Sequence, residues 1–239
     1  MSKKSSSDRR LLHGYITGPG VFSAMPDAAI KVVAVMGFAA AIDHHWATIL
    51  ASLSGSEIDT AMVLLESLSA RGGPNQDAAI VRLAELKLEP TDASIVRLAV
   101  NALRPHRDRR NDFAHGLWAR PIDDDDRLVL LRPKHAKKAN ADIAAYLIHG
   151  TFSSNDLGTV VEEGDFYGAA DFADALDEAG EAHDLIINLA RLVMNLSVAR
   201  HGQWVGPLGD APIRGAIREN PAFKKAVVRD ARKSRSAAI

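Results

Sequence analysis

The segment Ala28–Leu53 constrains this chain most. It is built from strong helix formers and carries apolar residues on nearly every side of a helical projection. A helix of that kind is stable in water only when neighbouring helices surround it or a second copy of the chain shares it. Its most apolar part, Ala28–Ile42, is interrupted by Lys31 and followed by Asp43, His44 and His45, which leaves it short of the roughly 20 residues that span a bilayer. No apolar run follows the basic, Ser-rich start MSKKSSSDRR before Gly14, Gly18, Pro19 and Gly20, so no export signal is read there. A cytoplasmic protein with no membrane span is the expectation.

Further helices are predicted downstream. Ser56 and Asp59 begin one that ends near Ala70, Asn75–Leu88 forms a third, and Thr91 or Asp92 opens a fourth after Pro90. Two short apolar runs, Gly116–Pro121 and Arg127–Pro133, flank Asp123–Asp126 and predict a small hairpin with an acidic loop. Weak helical signal at Ala139–Leu147 and strand signal at Thr159–Val161 follow. A long helix is predicted from Phe166 to about Arg200, with Phe172, Leu176, Ile186, Leu189, Leu192, Val193 and Leu196 on one face. The expected architecture is a mainly α-helical bundle with a β-hairpin, about 116–133, inserted before its last long helix. Residues 1–26 are expected to be a flexible arm, 27–202 the helical domain, and 203–239 a loop followed by a basic tail or frayed basic helix.

Composition narrows the chemistry. The 239 residues contain no cysteine, which removes disulfides, thiolate metal sites and a cysteine nucleophile. Lys and Arg number 29 against 30 Asp and Glu, so any polyanion site is a local one. Walker A, GxGxxG, GxSxG and HExxH patterns are all missing. His44-His45 lacks a second ligand pair at useful spacing. Asp123–Asp126 lacks the alternating ligands of a calcium loop. Asp171, Asp174, Asp177, Glu178 and Glu181 read as a solvated helix edge. No cofactor or metal is expected.

One segment is unusual: Arg104-Pro105-His106-Arg107-Asp108-Arg109-Arg110-Asn111-Asp112-Phe113-Ala114-His115-Gly116. At about 100° per residue, Ile95, Leu98, Ala99, Ala102 and Phe113 share one side of a helix. Arg104, Arg107, Asn111 and His115 fall within roughly 80° on the other. Pro105 removes one backbone donor and leaves the phase across it open. Imidazole exchanges protons near neutral pH, guanidinium groups grip phosphate in a bidentate fork, and carboxamide orients. Such a set suffices for metal-free RNA cleavage by 2′-hydroxyl attack. Simple phosphate binding, or a solvated face of Arg–Asp pairs such as Arg104–Asp108, uses the same residues.

Arg110-Asn111-Asp112-Phe113-Ala114-His115 resembles the Arg-polar-x-x-x-His motif of the HEPN (higher eukaryotes and prokaryotes nucleotide-binding) superfamily. The placement is similar too, late in a helix of a bundle with glycine and an aromatic residue just after. The motif covers six residues, and the helical layout extends the resemblance over about 27–200. It implies a homodimer whose motif helices face each other, and metal-independent endoribonuclease activity leaving 2′,3′-cyclic phosphate ends. It also implies a toxin or phage-defence role with an antitoxin or regulatory protein as partner. By that resemblance Arg110 stabilises the anionic transition state, His115 is the general acid or base, and Asn111 orients one of them. Arg107 and Arg104 are added from the stripe as RNA-phosphate contacts. A catalytically inactive HEPN-like dimeric interaction or nucleotide-binding module is the alternative.

Overall fold

The computed structural model describes residues 15–17, 21–23, 25–69, 73–121, 124, 126–133, 164–200 and 210–236. In chain order these form β1 (Tyr15–Thr17), α1 (Pro26–Ser54), α2 (Ile58–Ser69), α3 (Gly73–Lys87), α4 (Pro90–His115), β2 (Leu117–Pro121), β3 (Arg127–Leu131), β4 (Asp165–Gly168), α5 (Ala169–Arg200), α6 (Asp210–Glu219) and α7 (Pro221–Ser236). The protein is mainly helical, as expected. The signals at 139–147 and 159–161 lie outside the described residues. No helix of the described residues is long and apolar enough to cross a membrane.

The chain divides into two compact units. The larger comprises 37–107 and 177–239, and its described elements are all helices. Its core joins Ile42, Trp46, Ile49 and Leu50 of α1 with Ile80 of α3, Val96 and Leu103 of α4, and Leu185, Ile186, Leu189 and Leu192 of α5. In this unit the apolar character of the α1 segment has a direct cause, because Ile42, Trp46, Ile49 and Leu53 all enter that core. α4 begins at Pro90, a residue suited to the first helical position because its missing N–H has no partner there in any case. It continues through Pro105 without ending.

Within the 203–239 stretch, expected as a loop and then a frayed basic helix or tail, residues 210–236 form two packed helices, α6 and α7. Ile213 and Ile217 of α6 and Phe223 and Ala226 of α7 are buried in the same core. Spacings of four and three place each pair on one helical face, and their burial offsets the cost of ordering a charged segment. Asn220 lies at the joint: its Oδ1 accepts from the N–H groups of Ala222 (3.0 Å) and Phe223 (3.3 Å), capping α7.

The second unit comprises 1–36 and 108–176 and is built around a four-stranded antiparallel sheet ordered β1-β2-β3-β4. The predicted hairpin is its centre, with Leu117 opposite Leu131 and Ala119 opposite Val129. The hairpin has gained a strand on each side. Tyr15–Thr17, placed in the flexible arm by sequence, pairs with Ala119–Pro121, and Val21 just beyond is 1% exposed. Asp165–Gly168, of which Phe166–Gly168 were placed at the start of the long helix, pairs with Arg127–Leu130. Phe166 and Tyr167 favour the pleated conformation once β3 offers an edge. β3 is covered on both faces. Val129 and Leu131 pack with Ala119, while Leu128 packs with Val21, Ala28 and Phe172.

Candidate functional site at the end of helix α4

The polar stripe expected on α4 is observed in its exposures. Arg104, Asn111 and His115 are exposed and Arg107 is half-buried, while Ile95, Ala99, Ala102 and Phe113 are buried. Helical phase is thus conserved through Pro105. Arg110 differs from the stripe: it is half-buried, and its Nε is removed from solvent. Arg110 and His115 are five residues apart, about 140° around the helix, so one copy presents them in different directions.

The two residues expected to contact RNA phosphate are already engaged. Arg107 donates from Nη1 to Asp77 Oδ1 (2.6 Å) and from Nη2 to Asp77 Oδ2 (2.8 Å). Arg104 donates from Nε (3.3 Å) and Nη2 (3.1 Å) to Oδ2 of the same carboxylate. Asp77 is buried on α3 and serves both arginines. A phosphate reaching this pair therefore competes with a resident anion held in fork geometry. Nothing in the spacing of Arg104 and Arg107 signals Asp77, which lies 27 and 30 residues away. Arg104 thus pairs with Asp77 rather than with Asp108, the partner considered in the solvated-face alternative.

The last turn of α4 belongs to the sheet-containing unit and is held by aromatic rings. Phe113 meets Trp118 of β2 with ring centres 5.3 Å apart and Tyr167 of β4 at 5.5 Å, both edge to face. Trp118 also contacts Phe22, Tyr167 and Phe172, and its Nε1 donates to the Phe113 carbonyl (3.4 Å). These contacts lock the backbone of 112–118, and Asn111, Ala114 and His115 remain exposed on the other side of the turn. The rings of Phe22 and Tyr167 escaped sequence reasoning, because β4 and the residues before α1 join the site only through the sheet, whereas Phe172 belongs to the apolar face read for the long helix.

Gly116 follows immediately. Sequence suggests a helix terminator, but its φ is not positive. The requirement is space. A Cβ there would stand 2.5 Å from the Asp112 carbonyl oxygen, 2.6 Å from Leu130 Cδ1 and 2.7 Å from the Leu131 carbonyl oxygen. Only glycine lets α4 turn directly into β2 under the cover of β3.

An ionic chain runs beside the aromatic cluster. Arg132 Nε donates to Asp165 Oδ2 (3.0 Å) and lies 3.9 Å from Asp112 Oδ2. Burial raises the Asp112 pKa above the ordinary carboxylate value, the Arg132 charge opposes that rise, and Asp165 and Asp108 add to it. Tyr167 is pushed up to about 12, chiefly by burial and then by the Asp165 charge. Asp112, inside the motif, thus has a structural partner in Arg132, which follows β3 and was not among the residues singled out by sequence.

Elsewhere, His44, His45 and His183 form a chain of rings with centres 6.0 Å apart, and Phe38 lies 5.2 Å from His183. Among the described residues no group of three or more His, Asp or Glu has metal-binding geometry. Of the predicted acidic loop, Asp124 accepts from Arg127 Nε (2.6 Å); Asp123 and Asp125 lie outside the described residues. Asp171 accepts from the Gly168 N–H (2.8 Å), and Glu181 faces Lys225 (3.6 Å).

Compared against known protein families, curated proteins and solved structures, the chain matches none.

Chemically, the end of α4 offers an exposed imidazole at His115 and an exposed carboxamide at Asn111 one turn earlier. A guanidinium at Arg110 stands on an adjoining face. The first can move a proton, the second can orient a phosphate oxygen or a ribose hydroxyl, and the third can neutralise developing anionic charge.

Proposed function

We propose that this chain is a HEPN-type, metal-independent endoribonuclease acting as a homodimer. The observation that supports the reading best is the exposure of Asn111 and His115 on a turn fixed by Phe113, Trp118 and Tyr167. A rigid scaffold carrying an exposed proton-transfer group suits a catalytic role. His115 removes the proton from the ribose 2′-hydroxyl or supplies one to the departing 5′-oxygen. The 2′-oxygen forms a bond to phosphorus as the phosphorus–5′-oxygen bond breaks, leaving a 2′,3′-cyclic phosphate. Arg110 offsets the negative charge on the phosphoryl oxygens, and Asn111 holds the group being transferred. Because Arg110 and His115 diverge within one copy, the composite cleft draws them from two copies. A toxin or phage-defence role, with an antitoxin or regulatory protein as partner, belongs to the same reading.

The test is cleavage of labelled RNA by the purified protein, with product ends analysed and EDTA present. Cyclic-phosphate fragments that disappear in His115→Ala and persist in EDTA support the reading. Intact RNA, or cleavage that His115→Ala leaves unchanged, removes it. Host growth arrest on expression, relieved by His115→Ala, tests the toxin role.

The second reading, a catalytically inactive HEPN-like interaction or nucleotide-binding module, is favoured by the engagement of Arg104 and Arg107 with Asp77. It predicts dimerisation without RNA cleavage.

A further inference from the structure

We propose that the outward face of α7 is a binding site for the phosphodiester backbone of a nucleic acid. It is carried by α7 alone and does not depend on the ribonuclease reading.

The helix carries Lys224, Lys225, Arg229, Arg232, Lys233 and Arg235 against one carboxylate, Asp230. That carboxylate is half-buried and already paired, with Arg97 donating to both its oxygens at 3.0 and 3.3 Å. The outward face is thereby left without an unpaired acid of its own. Lys224 meets Glu219 and Lys225 meets Glu181, and Arg229 donates to the Asn101 carbonyl. Among the described residues no carboxylate is paired with Arg232, Lys233 or Arg235, and all three are exposed.

Geometry turns this charge into a track. Lys225, Arg229, Arg232 and Lys233 fall within roughly 100° of the helix circumference and span about 12 Å along its axis. Over that length one strand of a duplex presents about three or four phosphates. The helix is held at its base by Phe223 and Ala226 in the core, so the cations are displayed on an ordered element. In a chain of net charge −1, such a concentration of cations is a local feature. An anionic membrane surface fits less well. The apolar residues exposed on α7 are Val227 and Val228 among the large ones, without the Trp, Phe or Leu that anchor an interfacial helix. The outward face also carries no aromatic ring to stack on bases, so recognition is of backbone charge and is insensitive to sequence.

The experiment is fluorescence anisotropy of the full chain with a 2′-O-methyl RNA strand, which lacks the attacking hydroxyl, and with duplex DNA of equal length. Salt is varied, and vesicles rich in phosphatidylserine form a parallel arm. The variant combines Arg229→Glu, Arg232→Glu and Lys233→Glu, and its folding is verified by thermal melting. Expected is at least a tenfold loss of affinity, with the plot of log affinity against log salt for the single strand shallower by about two. Preference for one nucleic acid identifies the source of the phosphates. Unchanged affinity in the triple variant, or binding to vesicles but to neither nucleic acid, overturns the proposal.

Discussion

Arg107 and Asp77 are joined by two hydrogen bonds, 2.6 and 2.8 Å, with the carboxylate buried and the guanidinium mostly so. This pairing, shared with Arg104, decides how α4 can use its cations. Replacing Asp77 by Asn keeps the shape but removes the charge that holds both arginines. Unfolding free energy is expected to fall by about 1–3 kcal/mol, because Arg104 is half exposed and can hydrate once released. If these arginines reach RNA, affinity rises in the same variant. Urea denaturation and anisotropy measure the two effects separately.

Arg110 and His115 should differ in what their removal does to the fold. His115 is exposed, so His115→Ala is expected to shift stability by less than about 0.5 kcal/mol while abolishing RNA cleavage. Arg110 is half-buried, so Arg110→Ala is expected to lower stability by about 1–2 kcal/mol as well as activity. Arg110→Lys retains charge and most of the packing but loses the planar fork. It is expected to melt close to the parent and still to cleave poorly.

Gly116→Ala is expected to destabilise the protein by about 2–3 kcal/mol, because the added carbon overlaps two backbone oxygens and a Leu130 methyl. The loss should be read in the melting temperature and in faster amide exchange through Leu117–Pro121. A variant as stable as the parent would show that β3 does not press on this turn.

Tyr167 provides a spectroscopic probe of the aromatic clamp. An ordinary tyrosine titrates near 10. With its phenol pushed up to about 12 by burial, Tyr167 should ionise in a late step absent from Tyr167→Phe. Ultraviolet difference titration checks this. Disappearance of the late step in Phe113→Ala would show that the α4 terminus supplies part of the burial.

Acid should weaken the helical unit through His45. Its pKa is lowered by burial and then by the His183, His44 and Arg191 charges. The unfolded chain therefore binds this proton more readily, and stability declines as pH falls from the unperturbed value of about 6.5 toward the lowered one. His45→Gln is expected to flatten the dependence of melting temperature on pH in that window. Melting curves across it decide.

Local chemistry made much of this molecule legible. The helices from α1 to α5 follow from apolar periodicity and from punctuation such as Ser56 and Pro90, and the central hairpin from Leu128–Leu131 opposite Trp118 and Ala119. The outward direction of Arg104, Asn111 and His115 follows from 3.6-residue phase, which survived Pro105. These features depend on neighbours within a few residues, which sequence spacing specifies directly. Other features depend on partners distant in sequence. Whether Tyr15–Thr17 and Asp165–Gly168 become strands rests on the edges that β2 and β3 offer. Whether the basic C-terminal stretch folds rests on a core that receives Ile213, Ile217 and Phe223. Asp77 claims Arg104 and Arg107 across 27 and 30 residues, and Gly116 is required by strand β3 rather than by its own torsion. Sequence by itself determined which residues a helix or hairpin would turn inward or outward. Only the tertiary structure decided which charges were already satisfied, because ion pairing and steric closure depend on distances through space that no spacing along the chain encodes.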